Sequence, residues 1–179
     1  MLRRERGISW LAVIELDCML AGLAAGILSL LVAVLFAVAG GQSAVLPFRM
    51  VASVLFHDTA MNVLSPGVAL LVGLSVNAAI SMLFGFFFGL IATDEDKATR
   101  GSWARQAGIG VVVGLFAYFL DVQFIGRIWY PWFLGPSQLA IGFLHAVPYG
   151  LTLGLVSAWE EHHYRMPYPR VSSLPRREI

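Results

Sequence analysis

The sequence contains little charge and almost no cysteine. Only 13% of its 179 residues are charged, whereas a soluble domain is about 25% charged. The formal net charge of +1 lacks the basic excess that binding to a nucleic acid requires. The single cysteine, Cys18, excludes an internal disulfide and a metal site built on several cysteines. We interpret Cys18 as a small apolar side chain in the interior.

The sequence is rich in hydrophobic residues, which make up 58% of the chain. Four apolar runs approach or exceed the roughly 20 residues that cross a bilayer. They predict an all-α integral membrane four-helix bundle that forms a single domain over residues 1–179. The predicted helices cover about residues 10–40, 67–93, 103–126 and 137–161, and a basic cytoplasmic tail follows at 162–179.

The N-terminal run also has features of a secretory signal. Its basic start precedes apolar residues, and residues 37–39 read Ala-Val-Ala like a cleavage site. The apolar run is much longer than the 7–15 residues of a signal sequence, so we interpret it as the first membrane helix. Glu15 and Asp17 lie near its start, where they are either functional intramembrane carboxylates or residues of the membrane interface.

Each predicted helix carries a pair of glycines four residues apart. This spacing forms a flat strip on one helix face. In lipid, such strips let two backbones approach closely, and this packing drives helix association. We therefore predict eight helix-packing positions. They are Gly22 and Gly26, Gly85 and Gly89, Gly110 and Gly114, and Gly150 and Gly154.

The basic residues predict the orientation. Ten of the twelve Lys and Arg residues lie at the termini or in the connection between the second and third helices. Since short cytoplasmic loops are enriched in these residues, both termini are expected in the cytoplasm of a bacterial inner membrane. Arg49 and Arg127 fall on the periplasmic side. Arg49 belongs to a short amphipathic helix expected at 47–56, and Arg127 lies in an aromatic interfacial segment at 126–133.

Polar residues concentrate in the half of the predicted bundle away from most glycines. If close glycine packing makes the bundle tight at its cytoplasmic end, we expect a polar cleft that is open to the periplasm. Pro148 is expected to kink the fourth helix. The chain also reads as two similar helical hairpins, an arrangement known in transporters. The residues assigned to the cleft are Asn77, Ser81, Asp121, Arg127, Gln138, His145 and Tyr149.

The C-terminal half combines four features in order. A glycine-rich third helix is followed by Trp-Tyr-Pro-Trp at 129–132, by His145 at mid-membrane depth, and by Glu160 and Glu161 at the exit. In these features it resembles the YagU-like families of small bacterial inner-membrane proteins of unknown function. The resemblance implies a four-helix inner-membrane protein and carries over no activity.

His145 is the residue with the most chemical options. It is a candidate for an interhelical hydrogen bond, for proton or ion transfer, or for single-His ligation of a haem or chlorophyll. A bis-His haem would need a second membrane-embedded histidine, so no cofactor is predicted outright. Asp121 and Arg127 are a candidate ion pair closing the cleft. Two small clusters, His57 with Asp58 and His162 with His163, supply too few ligands for zinc.

The sequence contains no catalytic signature that would indicate an enzyme. Its small size and its many aromatic residues favour an accessory or structural subunit of a larger membrane complex, such as a respiratory or photosynthetic electron-transfer assembly. The alternative is a small transporter or channel that uses the polar cleft. The expected partners are the lipid bilayer and other membrane subunits or further copies of the chain, with no nucleic acid.

Overall fold

A computed structural model of the chain describes the fold of residues 3–93, 102–125, 127 and 142–164. Within these ranges it describes the side chains of residues 16–91, 102–120, 123, 124, 127 and 142–160. In these residues every regular element is a helix and none is a strand. The prediction of an all-α fold is therefore confirmed.

The helices follow the predicted order, with π-helical turns in the second half of the chain. The π-helix is the wider form in which each amide bonds to the carbonyl five residues before it. In this chain one π-helical segment continues a long α-helix, and a second π-helical segment directly precedes another α-helix. The elements are α1 (Arg3–Ala39), α2 (Leu46–Phe56), α3 (Thr59–Asn62), α4 (Pro66–Thr93), α5 (Trp103–Tyr118), π1 (Phe119–Ile125), π2 (His145–Leu151) and α6 (Thr152–Tyr164).

Two helices are long and apolar enough to cross a membrane. Leu16–Ala39 of α1 has a mean hydropathy of 2.6, and Pro66–Ile91 of α4 has a mean hydropathy of 2.0. The helices α5 and α6 have 16 and 13 residues, because π turns or residues outside the described ranges adjoin them. The described part of the chain thus contains two candidate spans by length and composition, and the four-span bundle stays a prediction.

The long helices pack in two pairs. The first hairpin consists of α1 and α4, with α2 resting on α4, and the second consists of α5 with π1 against π2 and α6. The two hairpins meet mainly where α1 contacts π2 and α6, and we call the whole contact between the two hairpins the seam. Since α4 and α5 touch little, one side of α5 has no neighbour among the described helices.

Glycines line the inner face of the first hairpin. A Cβ atom placed on Gly22 would lie 2.8 Å from the Cα of Gly85, and one placed on Gly85 would lie 3.0 Å from the Cα of Gly22. Carbon atoms do not approach this closely, so the two backbones are in direct contact. Gly26 lies against the Ser81 side chain, and Gly89 is buried.

The second hairpin repeats this packing with its own four glycines. A Cβ atom on Gly110 would lie 2.7 Å from the backbone nitrogen of Gly154, and one on Gly114 would lie 3.0 Å from the Cα of Gly150. All four glycines are buried. Close backbone approach through small residues is the usual packing of helices in lipid.

Small side chains make up much of the interior, where Phe88 and Leu153 are also buried, and many large apolar side chains lie outside. Ala21, Ala25 and Ala117 are almost completely buried, whereas Leu35 is 68% exposed and Phe119 is 59% exposed. In a soluble protein, large apolar side chains belong to the residues most often found inside. Many of the described large apolar side chains are exposed instead, which suits an apolar surrounding.

Candidate functional site: a cavity between the hairpins

A cavity of about 440 Å³ lies where the two hairpins meet. Its walls come from α1, α2 and α4 of the first hairpin and from α5 and π2 of the second. Most of the lining side chains are apolar, and they include Leu30, Phe36, Met50, Val54, Phe84 and Leu144. The polar lining residues are Ser29, Asn77, Ser81, His145 and Tyr149.

Helix α4 presents two polar side chains to this cavity. Asn77 and Ser81 lie four residues apart, so they occupy the same helix face one turn from each other. The side chain of Asn77 packs over Gly26, where a Cβ atom would lie 3.2 Å from its Nδ2 atom. Within the described residues, the Asn77 amide makes no hydrogen bond. The amide therefore offers a free donor and a free acceptor to whatever enters the cavity.

Tyr149 joins the two hairpins beside the cavity. Its hydroxyl donates a hydrogen bond of 2.9 Å to the backbone carbonyl of Ser81. The tyrosine is buried, and its ring forms part of the cavity wall. The predicted cleft residues Tyr149 and Ser81 thus touch, although they are 68 residues apart in the chain.

Pro148 changes the winding of the helix that carries Tyr149. In an α-helix the amide of residue 148 would donate to the carbonyl of Leu144, but proline has no amide hydrogen. The Ser29 hydroxyl of α1 donates a hydrogen bond of 3.1 Å to this carbonyl. Side-chain hydroxyls commonly satisfy carbonyls that proline frees in membrane helices. Where the sequence predicts a kink, the structure has a π-helical segment from His145 to Leu151.

Ser29 was missed as a site residue by the sequence analysis. Its signal was weak, since a single serine in a long apolar helix usually bonds within its own helix, as Ser75 does to the carbonyl of Leu71. Only the position of α1 beside π2 shows that Ser29 reaches the second hairpin. The rings of Phe36 and Phe143 also meet across the seam, edge to face with centroids 6.2 Å apart.

His145 is half-buried at the start of π2 and lines the cavity. Its ring lies 6.2 Å from the ring of Tyr118, centroid to centroid. No three metal-ligating side chains group together in the portion of the chain that the structure describes. The position is compatible with each of the roles expected for His145, and haem or chlorophyll ligation stays a prediction.

Of the other three predicted cleft residues, only Arg127 has a described side chain, and it does not line the cavity. Arg127 is exposed and donates a hydrogen bond of 2.9 Å to the Gln123 side chain. Asp121 belongs to π1, but its side chain lies outside the described residues, as does the whole of Gln138. The predicted ion pair between Asp121 and Arg127 therefore also lies outside them. Four of the seven predicted residues line one cavity: Asn77, Ser81, His145 and Tyr149.

The connection between α1 and α4 is held by Arg49. Its guanidinium donates hydrogen bonds to the backbone carbonyls of Met61 and Leu64, the latter at 3.0 Å. This contact ties α2 to the turn after α3. The guanidinium of Arg49 is therefore bound to neighbouring backbone carbonyls and does not line the cavity. Among the described residues, no charged side chain lines the cavity.

The carboxylates predicted near the start of the first helix are only partly described. Asp17 is half-buried, and its charge lies close enough to interact with that of Glu160 on α6. The side chain of Glu15 lies outside the described residues. Asp17 and Glu160 thus place two acidic groups near each other, on α1 and α6.

Comparison with known proteins adds no further information about the site. No family model, curated protein or solved structure matches the chain. The resemblance to the YagU-like families therefore stays a prediction. The candidate function is argued below from the packing of the helices and from the cavity.

Proposed function

We propose that the chain is a four-span protein of the bacterial inner membrane and serves as an accessory subunit of a larger membrane complex. The distribution of its side chains is the observation that supports a location in a membrane. Glycine and alanine pack inside, while large apolar side chains cover the outside. This is the arrangement that lipid favours, because helices gain nothing by hiding leucine from hydrocarbon.

Two further spans complete the proposed bundle. The helix α5, with 16 residues, continues without a break into the 7 residues of π1, and together they reach the roughly 20 residues that a span needs. The fourth span is proposed over about 137–161 and includes π2. The excess of basic residues at the termini supports a cytoplasmic location for both ends. In this orientation α2 and the cavity lie toward the periplasm.

The uncovered side of α5 supports the role as a subunit. Val112, Phe116 and Phe119 share one face at helical spacing and are 65%, 57% and 59% exposed. Since α5 packs mainly on π2 and α6, none of the described helices covers this face. Aromatic rings on a membrane helix offer shape for van der Waals packing. We propose that a transmembrane helix of another subunit, such as one from a respiratory or photosynthetic assembly, packs on it.

Purification in mild detergent followed by native mass spectrometry tests this proposal. We expect the tagged full chain to retain other membrane subunits in fixed stoichiometry. The double variant Phe116→Ala with Phe119→Ala should lose them. The matched control is Leu31→Ala with Leu35→Ala, which truncates two exposed side chains of α1 and should retain the partners. A lone protomer or a homodimer from the unmutated chain would contradict the accessory role.

A small transporter or channel is the second candidate function. One observation favours it, namely the cavity that Asn77, Ser81 and His145 line between the hairpins. A lone protomer or homodimer in the same purification would favour this candidate over the first. An absorption spectrum of the purified protein tests the remaining expectation for His145, because a bound haem would add a Soret band.

A further inference from the structure

We infer that the cavity binds a neutral, mainly apolar molecule that carries one carbonyl or hydroxyl group, and that the Asn77 amide recognises this group. The inference rests on the cavity alone and holds for either function proposed above. Its volume of about 440 Å³ lies in the range of ligand sites, which are commonly 300–1,000 Å³.

The walls of the cavity select against charge. Among the described residues, no Asp, Glu, Lys or Arg lines it. An ion entering it would lose its hydration without gaining an opposite charge, which is strongly unfavourable in an apolar surrounding. Aliphatic and aromatic side chains such as Leu30, Phe36 and Met50 provide the greater part of the contact. The molecule that fits is therefore neutral and largely apolar.

Asn77 selects for a polar group on that molecule. A primary amide in an apolar site is costly unless it is hydrogen-bonded, and this amide has no partner among the described residues. Tyr149 is already committed, because its hydroxyl donates to the carbonyl of Ser81. Ser29 is committed to the carbonyl of Leu144. A carbonyl oxygen on the ligand would accept from Asn77, and a hydroxyl could either donate to it or accept from it.

Undecan-2-one and undecane are suitable probes because they differ by one carbonyl group. Binding of each labelled compound is measured to the full-length protein in phosphatidylcholine nanodiscs, with empty nanodiscs as background. We expect saturable binding of undecan-2-one that empty nanodiscs do not show. Asn77→Leu should weaken this binding about ten-fold, the effect of one neutral hydrogen bond, and should leave undecane binding within about two-fold. The control Asn62→Leu changes an exposed asparagine away from the cavity and should have no effect.

A second pair of variants tests the location. Ala33→Trp fills the cavity from α1 and should reduce undecan-2-one binding to the background of empty nanodiscs. Ala24→Trp makes the same change at an exposed position of the same helix and should leave binding intact. Melting temperatures of all variants show whether they fold. If Ala33→Trp misfolds, the Asn77→Leu comparison of ketone and alkane still decides the inference.

The origin of the ligand is tested by competition with butan-2-one, which has the same carbonyl and is soluble in water. Butan-2-one has seven fewer carbons for the apolar walls to contact. Displacement would therefore indicate that the carbonyl group dominates binding and that a small aqueous solute can occupy the cavity, whereas failure to displace would indicate that apolar contact dominates, as for a molecule dissolved in the bilayer. Displacement supports recognition of the carbonyl group, and where butan-2-one does not displace, the Asn77→Leu comparison decides it. Absence of saturable binding, or equal loss of ketone and alkane binding in Asn77→Leu, would overturn the inference. Neither result would change the stoichiometry of co-purified subunits, so the two proposals fail separately.

Discussion

The interiors of the two hairpins and the seam between them are built in different ways. Inside each hairpin, backbone touches backbone across glycines, and no space is left for even a methyl group. At the seam, side chains make the contact: the hydrogen bond of Tyr149 to Ser81, that of Ser29 to Leu144, and one pair of aromatic rings. The cavity also lies there. Backbone packing thus holds each hairpin together, whereas side chains carry much of the contact between the hairpins.

The difference has a physical cause. Glycine strips let two helices lie close together and exclude everything else between them. The π-helical segment that faces α1 contains Pro148, and its glycine, Gly150, is used against α5. The seam therefore relies on a few directed hydrogen bonds, and a gap large enough for a ligand remains.

Gly110→Leu should have the largest effect on this comparison. Its side chain would meet the backbone of Gly150 and Gly154, so the second hairpin cannot close. We expect a loss of stability of about 3 kcal/mol or more, measured as a fall in the melting temperature of detergent-solubilised protein. Gly108→Leu is the matched control, because nothing lies within 4 Å of a Cβ atom on Gly108. Equal destabilisation by both variants would show that the glycine contact is unimportant.

Gly73→Leu should separate α2 from the first hairpin. A Cβ atom on Gly73 would lie 2.9 Å from the Cα of Phe48, so α2 must move away from α4. Since α2 forms one wall of the cavity, we expect faster hydrogen exchange in α2 and a loss of about 1–3 kcal/mol. Gly67 lies on the same helix, and nothing lies within 4 Å of a Cβ atom placed on it. Gly67→Leu should therefore leave hydrogen exchange in α2 unchanged. Unaltered exchange in Gly73→Leu would argue against the packing of α2 described above.

Tyr149→Phe should weaken the seam without affecting the hairpins. The variant removes the hydroxyl that bonds to the carbonyl of Ser81, at a cost of about 1 kcal/mol. Crosslinking between cysteines placed on α1 and α6 should become less efficient, while crosslinking between α5 and α6 should not change. Tyr118→Phe serves as control, because its hydroxyl bonds to Gln123 within the second hairpin. A uniform loss of crosslinking would contradict two separate units.

Ser29→Ala should have the smallest effect on stability of these variants. The size of this effect should depend on whether residue 148 is proline. The serine satisfies the carbonyl of Leu144 that proline leaves without its α-helical donor. We expect a loss of about 0.6 kcal/mol, measured by thermal unfolding. In a Pro148→Ala background the restored amide can bond to this carbonyl, so the same change should cost less. Full additivity of the two substitutions would refute the coupling.

The sequence is most informative where the signal repeats along one helix. The spacing of Gly22 with Gly26 and of Asn77 with Ser81 specifies a shared face, because the helical period is local. Contacts between helices were harder to predict from the sequence. Nothing in the sequence pairs Ser29 with Leu144 or Tyr149 with Ser81, since each pairing depends on the rotation and depth of two helices. The π-helical segments were missed for a related reason, because a hydrophobic pattern does not distinguish them from the α-helix.

The sequence by itself determined that the chain is helical, which residues are small enough for helix contact, and which helix faces carry polar groups. These properties follow from composition and from the period of a single helix. The tertiary structure alone decided that four predicted polar residues line one cavity, that α2 closes it, and that Asn77 faces it without a protein partner in the described residues. The reason is that a cavity belongs to the space between elements, and this space depends on how the helices are placed.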